Sequence, residues 1–156
     1  AVIDASSEIK VFEAEKLAII WQHQMLFQCT LTSISENGNY LLIGCPNKSY
    51  LQSYKFDRDS RKYVKLGDRI FGERQTLFGL GLSQSLDGRR FVVSGRFQSK
   101  IFEIQNDSVI EVRDISWQGS FYRIPVISGN SETLVFGIFS EEGDYLVNNI
   151  TILKAV

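Results

Sequence analysis

Apolar and polar residues alternate along most of the chain, and at intervals the alternation stops at a short polar break. Three stretches share one grammar. Residues 31–44 read LTSISENGNYLLIG, residues 81–94 read GLSQSLDGRRFVVS, and residues 124–137 read IPVISGNSETLVFG. In each, a partly alternating strand enters a polar turn, at Asn37-Gly38, Asp87-Gly88 or Gly129-Asn130, and leaves it as a nearly continuous apolar run. Asn-Gly and Asp-Gly supply the positive φ angles of two-residue hairpin turns. A continuous apolar run is the pattern of a strand buried on both faces. Leu41, Phe91 and Leu134 open these runs, and Ser35, Ser85 and Ser128 precede the turns. The unit therefore recurs at roughly 40 to 50 residues.

A weaker repeat lies between these units. Residues 9–12, 53–56, 100–103 and 150–153 alternate as half-exposed strands do. After the first three come polar breaks at 13–16, 57–62 and 105–108, and then strands at 17–21, 63–66 and 109–112. Lettered outward from A to D, the strands run C-D, A-B-C-D, A-B-C-D, A-B-C. No segment sustains a helical period. Four strands per unit at this period predict an all-β chain of about three β-propeller blades, four-stranded and antiparallel, with A and B buried and C and D half-exposed. The expected division is 1–26 as outer strands of a preceding blade, 27–76 as blade 1, 77–119 as blade 2 and 120–156 as an incomplete blade 3, all one continuous unit.

Composition agrees and adds limits. The chain has 156 residues with 44% apolar content, 12 glycines against 2 prolines, and 11 Phe and 6 Tyr, a balance that favours strands. No apolar run approaches the ~18 residues of a membrane helix. A formal net charge of −1 argues against general affinity for nucleic acid or an anionic membrane. Cys29 and Cys45 flank the Asn37-Gly38 turn; two small buried strand residues are the preferred reading over a bridge across the hairpin. The chain opens at Ala1 with no signal peptide, which suits either a mature chain or a segment of something longer.

The second unit carries a recognisable pattern. Lys65-Leu66-Gly67-Asp68-Arg69-Ile70-Phe71-Gly72-Glu73 precedes Phe78-Gly79, followed by Asp87-Gly88 and the apolar Phe91-Val92-Val93. This resembles FG-GAP-like repeats of integrin-α-type propellers, with Phe78, Gly79, Asp87, Gly88, Asn37 and Gly38 as the repeat-defining residues. Elsewhere the match decays: Phe27-Gln28 and Phe121-Tyr122 stand near the place of Phe-Gly, and the Gly-Ala-Pro step survives only as Gly44-Cys45-Pro46. The resemblance implies a calcium loop of alternating acids in some members. Here Asp57-Arg58-Asp59 has the spacing but places an arginine between the acids, so no metal or other cofactor is expected, and Asp57 and Asp59 stand as the weak candidates.

Catalytic groups are sparse. His23 is the sole histidine and reads as a polar loop residue rather than a general base. Glu141, Glu142 and Asp144 read as a solvated acidic turn, and the D-to-A connection with Asp68, Arg69, Glu73 and Arg74 as an exposed loop. Arg58, Arg61 and Lys62, and Arg89 and Arg90, read as turn residues rather than a nucleic-acid patch, and Tyr54, Phe56, Tyr63 and Phe102 as packing between blades. Sequons at Asn47, Asn106 and Asn149 favour a secreted or luminal setting. Three blades do not close a ring, since closure takes about four to eight. The expectation is a non-enzymatic propeller segment that scaffolds protein partners, completed by further blades or by self-association. The alternatives are a lectin-like carbohydrate binder and a supporting part of a hydrolase.

Overall fold

The computed structural model describes residues 1–4, 8–26, 28–116, 121–140 and 151–154. Among them the regular structure is strand, apart from one 3-10 turn at Pro46–Lys48, and no helix is long and apolar enough to cross a membrane.

The strands form four antiparallel sheets in chain order. Sheet I holds β1 (Val2–Ile3), β2 (Glu8–Phe12) and β3 (Ile19–Gln24). Sheet II holds β4 (Leu31–Ile34), β5 (Tyr40–Cys45), β6 (Tyr50–Asp57) and β7 (Lys62–Lys65), with β8 (Ile70–Phe71) pairing the start of β6. Sheet III holds β9 (Gly81–Gln84), β10 (Arg90–Ser94), β11 (Gln98–Gln105) and β12 (Ser108–Ser116), and sheet IV holds β13 (Phe121–Ile127), β14 (Thr133–Ser140) and β15 (Thr151–Lys154). Strand β4 lies beside β1 and β9, and β9 beside β13. Sheets whose first strands sit side by side in succession are propeller blades.

The second strands explain why the sheets stack. On β5, Leu41, Ile43 and Cys45 turn toward sheet I and join Ile9, Val11, Tyr54 and Tyr63, while Leu42 turns the other way and joins Phe78, Phe91, Val93 and Phe102. On β10, Val92 leaves that second cluster and meets Ile127, Leu134 and Phe136 of sheet IV. Each sheet-to-sheet interface is thus one apolar cluster, and each central strand feeds two of them through its period of two. Full burial of one such side chain is worth about 1.5–3 kcal/mol. Sequence placed A and B inside and C and D half outside. Instead A is half-buried along β4, while C is largely buried, with five of the residues of β6 fully enclosed.

The three hairpin turns share one design that differs from the two-residue turn expected. Ser35 and Tyr40, Ser85 and Arg90, and Ser128 and Thr133 each close a four-residue loop through the amide of the first and the carbonyl of the second. Each serine hydroxyl donates to the Asx side chain two residues on, Asn37 at 2.8 Å, Asp87 at 2.7 Å and Asn130 at 2.7 Å, and accepts from the amide five residues on. One residue per loop takes positive φ: Gly38 at 70°, Gly88 at 74° and Ser131 at 65°. The third unit is therefore aligned on Asn130-Ser131, one residue later than Gly129-Asn130. The two-residue turn with both φ positive occurs instead between β11 and β12, at Asn106 and Asp107. Successive loops are also bonded to one another, Glu36 N–H to the Leu86 carbonyl at 3.0 Å and Leu86 N–H to the Gly129 carbonyl at 3.2 Å.

Phe78-Gly79 marks a close approach between blades. Phe78 is fully buried. Gly79 has φ 95°, and a Cβ there would stand 2.8 Å from the Tyr50 carbonyl oxygen, while a Cβ on Gly44 would stand 2.2 Å from the Gly79 oxygen. Only glycine fits such a contact.

Other expectations need correcting. Sheet I has an extra strand, β1, ahead of its C and D strands. Its D strand is 19–24 rather than 17–21, because Leu17 closes a turn, donating its amide to Glu13 at 2.8 Å with φ 53°. His23 accordingly lies in a strand and not in a loop. Cys29 and Cys45 are bonded, with Cα atoms 3.9 Å apart. Thr30 N–H to the Gly44 carbonyl extends the β4–β5 pairing and brings the two sulfurs together, so both readings of the cysteines merge: they are buried and bridged.

Candidate functional site

The sheets have two ends. The four-residue loops and the C-to-D turns share one end; the B-to-C loops and the D-to-A connections share the other. Each end holds a cleft between sheets II and III.

At the turn end, a cleft of about 530 Å³ is lined by Asn39, Tyr40, Lys55, Arg58, Lys65 and Asp107, among others. Lys55 Nζ bridges it to Asp107 at 2.6 Å, and that contact raises the lysine pKa. Asp57 also lines it, but its carboxylate closes its own turn, accepting from the Ser60 hydroxyl and the Asp59 amide; these bonds hold it below the ordinary carboxylate range. Asp59 contributes that amide. Among the described residues no group of three or more His, Cys, Asp or Glu side chains is placed to hold a metal.

At the opposite end, a cleft of about 670 Å³ is lined by Lys48, Phe71, Arg74, Gln75, Leu77 and Arg96, among others. The 3-10 turn after β5 supplies Lys48, the D-to-A connection supplies Phe71, Gly72, Arg74, Gln75 and Leu77, and the loop after β10 supplies Arg96. Thr76, buried, fixes the connection: its hydroxyl donates to the Glu73 carbonyl at 2.7 Å and its carbonyl accepts Arg96 N–H at 2.6 Å. Phe71 is 60% exposed. Arg69 lies over the Tyr50 ring at 4.9 Å, and that ring is 5.8 Å from Phe71.

The other nominated residues are scattered. The His23 ring stacks on Trp21 at 5.5 Å and meets the Tyr54 edge at 6.1 Å. Burial, then Lys65, lowers its pKa, and among the described residues no carboxylate is bonded to it. Tyr54 and Tyr63 are buried against Trp21, with pKa values pushed up to about 12 by desolvation. Phe102 is enclosed against Phe91, so these outer-strand aromatics pack blades together and offer no open face for a sugar ring. Asn47 and Asn106 are exposed, the first at the 3-10 turn and the second at the tip of the β11–β12 turn. Arg90 pairs with Glu103 at 3.1 Å and reaches the Ser131 carbonyl. Glu141, Glu142, Asp144 and Asn149 lie outside the described residues. The second cleft was not legible from sequence, because its cations come from three loops that are remote along the chain; the mixed charge of 68–74 reads there as a solvated connection.

No protein-family model matches the chain, and no curated protein matches it in sequence. Solved structures do match. The β-propeller domain of Myceliophteria thermophila Cps50 (Swd1) aligns with a TM-score of 0.67 at 13% identity, covering 97% of this chain and 48% of that one. KlAtg21, solved in complex with the coiled-coil of AgAtg16, aligns with a TM-score of 0.70 at 14% identity over the same shares, 97% and 48%. A functionally unknown protein from Desulfotomaculum acetoxidans aligns with a TM-score of 0.65 at 18% identity, covering 94% and 48%. The fold is that of β-propeller blades, and the chain spans about half the length of the solved chains it matches.

Proposed function

We propose that the chain is a non-enzymatic propeller module that scaffolds protein partners and is completed by a further blade of the same grammar. The observation that carries this is the outer face of sheet IV. Ile124 and Val126 of β13 are 51% and 58% exposed, while Ile127, Leu134 and Phe136 on the other face are buried. The ladder of loops supports the same occupant, since Glu36, Leu86 and Gly129 are already joined in series and a further blade continues that interface. KlAtg21, a propeller bound to a coiled-coil, is a precedent for protein partners. The segment 65–93 keeps its likeness to FG-GAP repeats as a proposed kinship, with blades divided at 27, 77 and 120. The buried Cys29–Cys45 bond and the exposed sequons at Asn47 and Asn106 favour a secreted or luminal setting.

Sedimentation of the chain over a range of concentrations tests the reading. An uncovered apolar face drives association. The expected outcome is a concentration-dependent increase in mass that is lost in the Ile124→Lys, Val126→Lys variant. A chain that stays monomeric throughout, with the variant indistinguishable from it, overturns the proposal.

A further inference from the structure

We infer that the contact between sheets I and II is proton-sensitive. His23, set in that contact against Trp21 and Tyr54 with Lys65 as its charged neighbour, loosens sheet I when it takes up a proton.

The interface is the first argument. Sheet I packs on sheet II through one apolar cluster, to which β2 gives Ile9 and Val11, β6 gives Tyr54 and β7 gives Tyr63. His23 and Trp21 belong to β3, the outer strand of sheet I. Their rings stack 5.5 Å apart at an interplanar angle of 17°. Both rings meet Tyr54, at 6.1 Å and 5.6 Å, and Trp21 also meets Tyr63 at 5.4 Å. The histidine is thus half-buried within the contact itself.

The charges around it are the second. Lys65 pairs across the ladder with Tyr54 and lies two residues beyond Tyr63, so the period of two puts it on the face of sheet II that meets sheet I. The D-to-A connection brings Arg69 over the Tyr50 ring of the same cluster. What β4 and β5 add there is apolar or bonded: Ile34, Leu41, Ile43 and the bridged Cys45. On sheet I the same period turns Glu8 and Lys10 to the opposite face, where Lys10 pairs with Glu8 at 2.8 Å and with Asp4 at 3.8 Å. Among the described residues, then, the ionisable groups facing His23 are tyrosines and cations. A charged imidazole gains no carboxylate here.

The direction follows from these neighbours. Burial first and Lys65 second hold His23 below its ordinary value of 6.5. An indole face draws a cation, but the imidazole must leave water and approach Lys65 to use it. Docked, the ring stays neutral; released, it takes up a proton near the ordinary value. The contact is therefore at full strength above a pH of about 6.5, and weakens as pH falls from there through the lowered docked value. Each pH unit between the two values makes docking about tenfold less favourable once both forms are protonated.

The test uses the chain's single histidine. Its ring Cε1 proton, followed by NMR on the full chain from about pH 8 to about pH 5, above the carboxylate range, should titrate below the ordinary value. Over the same range amide exchange, corrected for the intrinsic rate at each pH, should quicken in β2 and β3 and stay level in β10. Lys65→Gln, at an exposed position, should raise the histidine midpoint and shrink the change in exchange. His23→Gln should abolish that change, with a melting curve at about pH 8 establishing that it is folded; if it is not folded, Lys65→Gln decides. A midpoint at or above the ordinary value, exchange in β2 and β3 that ignores pH, or a change equal in the parent and the folded His23→Gln variant overturns the inference. So does a Lys65→Gln variant with the parent's midpoint and exchange. None of these results bears on association through Ile124 and Val126, so the two proposals fail separately.

Discussion

Strands β10 and β14 hold the same place in successive sheets, yet one is sealed on both faces and the other on one. Phe91, Val92 and Val93 are all inaccessible. Along β14, Leu134 and Phe136 are buried, while Thr133, Val135 and Gly137 between them are partly exposed. The sequences are alike, GRRFVVS against SETLVFG, so the difference comes from what lies alongside and not from the strand. In this fold a strand's burial is a property of its neighbours: β10 has sheets II and IV, whereas β14 has only sheet III among the described residues.

Substitutions can break or sharpen this contrast. The largest effect should come from Phe91→Ala, which opens a cavity in the cluster joining sheets II and III and should cost about 3–5 kcal/mol in a denaturant titration. Reducing the Cys29–Cys45 bond, whose partners are 16 residues apart, frees the unfolded chain and should cost about 3 kcal/mol. The β4–β5 hairpin should loosen while β9–β10, which has no covalent tie, is unaffected, as amide exchange would show. Val92→Ala and Val135→Ala remove the same atoms from equivalent positions. The first should cost about 2 kcal/mol and the second less than about 1 kcal/mol, and equal losses would remove the contrast.

The smallest effect concerns the loops. Asn37, Asp87 and Asn130 play one role, but only Asp87 titrates. Desolvation opposes its charge, yet the Ser85 hydroxyl and the Arg89 amide outweigh that and hold its pKa below the ordinary value. Its contribution is therefore present above the unfolded-state value and is lost as pH falls through the lowered folded one. An acid titration of stability should show this loss in the parent and not in Asp87→Asn, which keeps the acceptor, as Asn37 and Asn130 do.

Much of this fold is written in the period-two pattern. The apolar runs at Leu41, Phe91 and Leu134 locate the central strands, and Ser35, Ser85 and Ser128 mark the loops, because both signals are local. What escaped depends on distance. The serine-to-Asx bonds form within five residues, but in the letters they resemble an ordinary Asn-Gly turn of two residues. The disulfide requires the pairing of 30 with 44, which composition does not reveal. His23 reads as a loop residue because a turn at Leu17 delays its strand. The cationic cleft is assembled from Lys48, Arg74 and Arg96, whose loops meet only after the blades stack.

Amide hydrogen exchange on β10 and β14 tests the account most directly. In dilute solution the amides of β10 should be protected to the level of global unfolding, while those of β13 and β14 exchange faster through local opening. Raising the concentration should slow β13 and β14 and leave β10 unchanged, as the open face becomes covered. Equal protection of the two strands at every concentration would contradict the claim that sheet IV presents a face built for a further blade.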